Sequence, residues 1–253
     1  MTSRRDLIKA SVAASAMSII TSHSTTGFAR DKNPGYVEDK PGQNKKLVDH
    51  FMWAAVDLDT ATAEFEKLTG VRPEFGGRHP GFGTHNALVS LGNGTYMEVL
   101  ALDPEQSADN PIVREIREMN SPEILAYHLQ RSDLENTVQV LQGLGIPYTG
   151  PLDLGRKRPD GSELNWRLLF PESPVFKHAL PIFIDWMDAP HPSKSAPGGC
   201  ILTHFEVGHA RDDELREIYQ ALGVTVKVVK SEQAYARAIL DSPKGEVSLQ
   251  GRL

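Results

Sequence analysis

The 253-residue chain holds one cysteine, Cys200. That scarcity excludes an intramolecular disulfide and every multi-cysteine metal or redox motif. Long apolar runs are also missing. The stretch Ala10 to Ile20, rich in Ala and Ser, covers at ~1.5 Å per residue about half of a bilayer core and is no membrane anchor. Basic charge is not in excess: Lys plus Arg number 27 against 33 for Asp plus Glu, a formal charge of −6. A mildly acidic protein is a poor binder of phosphate backbones, so no nucleic acid partner is expected. The Gly-x-Ser-x-Gly elbow, the Gly-rich phosphate loop, the dinucleotide fingerprint and the His-Glu-x-x-His helix are all absent, which leaves hydrolase, nucleotidase and Rossmann readings without support. What remains is ordinary globular material, 40% hydrophobic and 24% charged, in a chain long enough to bury a core without staples.

The first segment reads as a leader. Paired arginines, Arg4-Arg5, precede Asp6, a short apolar region and small residues around Gly27-Phe28-Ala29. These features predict a signal peptide over residues 1–29, cleaved after Ala29, and the arginine pair resembles the twin-arginine export signal. Export by that route implies a periplasmic or extracellular protein, with no membrane association after cleavage. The route generally carries folded proteins, often loaded with a cofactor, and a chain with one cysteine can fold before export. Cleavage removes three basic residues and one acidic, leaving the mature chain near −8. Residues 30–46 are charged and aperiodic and read as a flexible lead-in.

From Leu47 onward one pattern recurs. An apolar strand (LVDHFMWAAVD) leads to a helix capped by Asp57 or Asp59, with Ala61, Phe65 and Leu68 at helical spacing and Gly70 as its stop. Strands are predicted around 72–75, 85–91 and 96–102, the last two joined by Gly92-Asn93-Gly94, a hairpin signal. A second copy runs from the strand at 124–129 through an Asp133-capped helix to strands at 148–156, 164–170 and 180–187. A third begins at Cys200, with a helix over 213–222 and strands at 224–229, 234–241 and 246–249. The expected domains are a first βαβββ module with its linker (47–121), a second (122–198) and a third βαβββ-like unit (199–253). The fold class is α+β, with paired βαβββ modules forming a cupped mixed sheet, because one such unit cannot bury its own curved sheet.

Paired units with His50 early in the first strand and Glu98 in the fourth resemble the vicinal oxygen chelate superfamily of glyoxalases, bleomycin-resistance proteins and extradiol dioxygenases. Asp49-His50-Phe51, Tyr96-Met97-Glu98, the run Gly155 to Gly161, Leu164-Asn165-Trp166-Arg167 and Leu180 to Trp186 resemble its glyoxalase-like group, over about residues 47–250. The resemblance implies a small-molecule substrate or ligand and a divalent metal (Zn, Ni, Mn or Fe), whose imidazole and carboxylate ligands suit such ions. The expected metal set is His50, Glu98, His128 and Asp185, with Glu98 or Asp185 available as a catalytic general base. Trp166, Arg167 and His85 are the expected substrate-binding residues, since an arginine fork pairs well with a ligand carboxylate or phosphate. Arg156 and Arg158 read as solvated hairpin residues ahead of ligand-binding ones.

Two positions depart from the superfamily pattern: Asp185, which lines up with Glu98, is a shorter carboxylate, and the second histidine is displaced. Aligning Asp133 with Asp57 puts Ala126 opposite His50, and His128 two residues further on, ~6.6 Å along the strand. On that alignment the four groups do not meet on one ion unless the strand shifts. Three readings stay open: a metal-dependent lyase, isomerase or dioxygenase; a metal-free protein that sequesters a small ligand; and a subunit that forms a homodimer through an apolar sheet face.

Overall fold

A computed structural model describes residues 46–157 and 161–253; the leader, most of the lead-in and Arg158 lie outside these. The first module is β1 (His50–Ala55), α1 (Leu58–Thr69), β2 (Glu74–His79), β3 (Thr84–Ser90) and β4 (Tyr96–Leu102). Helix α1 begins where expected, the Asp57 side chain accepting from the Thr60 N–H, and ends at Gly70 with φ 81°, a left-handed position that glycine reaches without strain. A short helix in the linker, α2 (Pro111–Arg117), was not read from the sequence. Asn110 caps it and proline starts it. The second module is β5 (Glu123–Gln130), α3 (Leu134–Gly143), β6 (Tyr148–Lys157), β7 (Glu163–Pro171) and β8 (Ile182–Asp185).

The two modules form one eight-stranded sheet in the order β2-β3-β4-β1-β5-β8-β7-β6. Within each module the first strand runs parallel to the fourth: β1 on β4, and β5 on β8. The modules join through antiparallel β1 and β5, where His50 pairs with His128. The sheet curls until its two edge strands meet, and the buried Arg156 on β6 donates to the Gly76 carbonyl on β2. The fold expected from the sequence, α+β with a cupped mixed sheet of paired βαβββ modules, is the fold observed.

The third unit keeps the element order but not the strand order. It contains β9 (Ile201–His209), α4 (Asp212–Ala221), β10 (Lys227–Lys230), β11 (Tyr235–Ser242) and β12 (Gly245–Arg252), in a separate sheet ordered β10-β9-β11-β12. Its first strand lies parallel to its second, whereas in both modules it lies parallel to the fourth. Element order does not determine this, because a hairpin can add its strands on either side of the first strand. The third unit packs on the convex side of the large sheet. Phe51, Phe65, Tyr127 and Phe183 share one core with Phe205, Val207 and Tyr219. At Gly251 an added Cβ would lie 1.9 Å from the Ile124 carbonyl oxygen, so this docking needs a residue with no side chain. Covering the convex side leaves the concave side as a cavity. Among the described residues no helix is long and apolar enough to cross a membrane.

Candidate functional site

Strand alternation sends every second residue into the cup. From the first module these are His50 on β1, Tyr96, Glu98 and Leu100 on β4, and Thr84, Asn86 and Leu88 on β3. From the second they are Ile182 and Ile184 on β8, Leu164, Trp166 and Leu168 on β7, and Leu154 and Arg156 on β6. His128 completes the floor, His79 and Phe82 the rim, and the cavity measures about 200 Å³.

His50 is built from below. Its Nδ1 lies 2.7 Å from Asp49 Oδ1, whose carboxylate also takes Lys46 Nζ at 2.7 Å, His191 Nε2 at 3.0 Å and the Trp186 indole N–H at 3.3 Å. Burial alone would raise the Asp49 carboxyl. The hydrogen bonds from His191 and His50, with the nearby charges of His50 and Lys46, outweigh it and hold Asp49 well below the ordinary carboxylate range. In the neutral form of the imidazole, an ionised Asp49 accepting from Nδ1 places the lone pair on His50 Nε2. That nitrogen lies 3.9 Å from Glu98 Oε2.

Glu98 in turn accepts from Asn86 Nδ2 at 2.6 Å and has His79 Nε2 at 3.6 Å. His79 Nδ1 lies 2.9 Å from Thr84 Oγ1. Burial pushes the His79 imidazole down, the Glu98 charge opposes this, and Arg156 adds to it. A polar row therefore crosses the first module: Asp49, His50, Glu98, then Asn86 and His79. Tyr96 stacks on His50, 4.4 Å between ring centroids, and burial beside Glu98 and Asp49 raises its phenol well above the usual value.

The expected site residues divide by strand face. His50, Glu98, His128 and Trp166 reach the cavity. Asp185 does not, because its neighbour Ile184 faces inward, while the Asp185 carboxylate accepts from the Met187 N–H at 2.9 Å. Arg167, paired with Asp185 across the ladder, lies on the outside and reaches Glu135 at 2.5 Å. His85 likewise alternates with the inward-facing Thr84 and Asn86, and its ring meets Phe75 on the other side.

The register also corrects the alignment made from helix starts. His50 pairs with Tyr96, two residues before Glu98, and His128 pairs with Ile182, two residues before Ile184. His128 is thus the direct counterpart of His50, and Ile184, not Asp185, is the counterpart of Glu98. The shift arises because His128 stands two residues nearer its helix cap than His50 does.

These residues do not fit the divalent ion that the resemblance implied. The fourth position is Ile184, an aliphatic side chain. The rings of His50 and His128 stack, with centroids 3.8 Å apart and planes 13° apart. A nitrogen lone pair lies in its ring plane, so an ion ~2.0–2.1 Å from one ring in that plane stands far outside the plane of the other. Burial and the adjacent His50 push His128 well below the usual histidine range, and its Nδ1 has no hydrogen-bond partner. Among the described residues no group of three or more His, Cys, Asp or Glu side chains is arranged to hold an ion.

Sequence reasoning passed over Asn86 and Tyr96 as cavity groups and His191 as a partner of Asp49, whereas His79, beside the Gly-rich loop at Pro80–Gly83, stands at the cavity rim as its position suggests. The alternation of Thr84, Asn86 and Leu88 was the available signal for Asn86; nothing local pointed to His191.

Fold and cavity together define a protein of paired βαβββ modules. The glyoxalase-like domain family matches residues 48–223, and the chain belongs to that family, within the vicinal oxygen chelate superfamily. A hypothetical protein from Staphylococcus aureus shares the fold at a TM-score of 0.55 and 15% identity, over 81% of this chain and 85% of that one. Methylmalonyl-CoA epimerase from Streptomyces coelicolor, in complex with 2-nitronate-propionyl-CoA, matches at 0.41 and 16%, over 55% of this chain and 96% of its own. The epimerase from Mycobacterium tuberculosis matches at 0.40 and 20%, over 61% and 98%. No curated protein matches.

Proposed function

We propose that the cavity receives a small, largely apolar molecule and that His50, oriented by Asp49, takes a proton from it without a resident metal ion. One observation carries this reading: a buried, ionised Asp49 holds His50 Nδ1 at 2.7 Å while Nε2 opens on the cavity beside Glu98. An imidazole whose far nitrogen is fixed by a carboxylate is a ready general base. The acceptable substrate is a compound with an acidic C–H beside a carbonyl. Arg156, which lines the same cavity, supplies fixed positive charge for the oxygen on which negative charge develops.

A second reading, capture of a ligand without chemistry, is favoured by the aliphatic lining of the second module. One experiment separates the two. Carbonyl compounds are incubated with the protein in deuterium oxide, binding is followed by Trp166 and Trp186 fluorescence, and exchange is followed by proton NMR. The expected result is deuterium uptake that persists in a chelator and falls about a hundredfold in His50→Gln. Binding without uptake would leave sequestration, and uptake only after a divalent ion is added would overturn the metal-free reading. The leader read at residues 1–29 puts this activity outside the cytoplasm, which fractionation of cells expressing the full chain checks.

A further inference from the structure

Resting on the proposal that His50 acts as a base, we infer that proton transfer here is confined to one face of the bound molecule. The reaction class is then tautomerisation, or a double-bond shift, of an apolar carbonyl compound, and not inversion of a carbon centre. Inversion through a planar enolate needs a second proton carrier across the molecule from the first. Ile184 stands there, at the position that matches Glu98 in strand register. Beside it on that wall are Leu154, Leu164, Trp166, Leu168, Phe170 and Ile182, none of which gives up a proton at ordinary pH. Arg156 is charged, but its guanidinium keeps its protons and can only bind an anion. His128 belongs to the floor, stacked on His50 at 3.8 Å, and approaches a ligand from the same side. The outward-facing Asp185 and Arg167 cannot reach it.

Among the described residues every proton carrier of the cavity thus sits on the floor or on the first-module wall. In the step inferred, the C–H bond breaks, its proton goes to His50 Nε2, and its electron pair moves through the adjacent carbon onto the carbonyl oxygen. Glu98 Oε2, 3.9 Å from that nitrogen, stabilises the imidazolium formed. The imidazolium then returns the proton, from the same face, to the oxygen or to the far carbon of a conjugated system. Neutral His50 is restored and no other reactant is consumed.

The probe is 3-phenylbutan-2-one, a methyl ketone whose phenyl-bearing carbon carries one stereogenic C–H beside the carbonyl, supplied as separate enantiomers in deuterium oxide. Deuterium uptake at the stereogenic carbon, distinct from exchange at the methyl group on the other side of the carbonyl, is read by proton NMR and optical purity by chiral chromatography, with tryptophan quenching confirming occupancy. The expected result is that one enantiomer exchanges at least about tenfold faster than it racemises, and that Ile184→Glu, checked for folding by circular dichroism, brings racemisation up towards exchange. Racemisation keeping pace with exchange in the unmodified protein would overturn one-face transfer and leave the role of His50 standing. A bound ketone that does not exchange would overturn the base reading and this inference with it. No quenching at millimolar ketone would overturn the substrate class.

Discussion

The two modules share a topology and a strand register, yet they line the cavity differently. The first contributes His50, Glu98, Asn86 and His79, and the second mainly Ile182, Ile184, Leu164 and Leu168. At the matched fourth-strand position the first has a carboxylate and the second an isoleucine. The shared backbone builds the cup, and the inward-facing side chains decide what each half can do. A polar wall against an aliphatic one suits a ligand with a carbonyl end and an apolar body, and it concentrates acid–base capacity on one side.

That comparison can be broken at three points. The largest effect is expected at Asp49, where one buried carboxylate gathers donors from His50, His191, Trp186 and Lys46. Asp49→Asn should cost roughly 3 kcal/mol in denaturant unfolding near neutral pH, because a buried ion group loses its counter-charge. Since the folded-state value of Asp49 lies below its unfolded value of ~3.9, its contribution is present above about pH 4 and is lost as the pH falls below that. The unmodified protein should weaken on acidification through this window, and Asp49→Asn should weaken less. Equal slopes would show that Asp49 does not hold charge in the folded state.

On the aliphatic wall, Ile184→Ala should cost about 2 kcal/mol, the low end for such truncations because the side chain borders an existing cavity. It should also loosen binding of bulky ligands while leaving proton exchange by His50 in place. An equal loss of exchange would erase the division of labour between the walls. The smallest effect is expected at Arg167, whose partner Glu135 is exposed: Arg167→Ala should leave both the unfolding midpoint and ligand affinity unchanged within error. A clear loss of affinity would mean that the outer face takes part in binding.

Much of the fold was legible. The Asp57 and Asp133 caps, the stop at Gly70 and the Gly92-Asn93-Gly94 hairpin are local signals with local causes, and each stands where the chain announces it. The third unit was legible as an order of elements only. The candidate site was legible in part, and its misplaced members share one cause. Asp185 and Ile184, Arg167 and its neighbours Trp166 and Leu168, and His85 and Asn86 each offer a polar and a competing residue one position apart. Alternation separates them onto opposite faces without saying which face is the inside. His128 was set two residues off because the alignment trusted the helix cap, while the ladder with β1 sets the true register.

By itself the sequence determined the repeated strand–helix–strand units, with a histidine on the first strand and a carboxylate on the fourth, since caps, turns and hydrophobic period act over a few residues. Tertiary structure alone decided that His50 and His128 stack at the seam, that Ile184 takes in the second module the inward place that Glu98 has in the first, and that Asp49 joins His50 to His191. Those facts depend on how the sheet curls and which strand edges meet, and such long-range geometry leaves no mark in any short window of the chain.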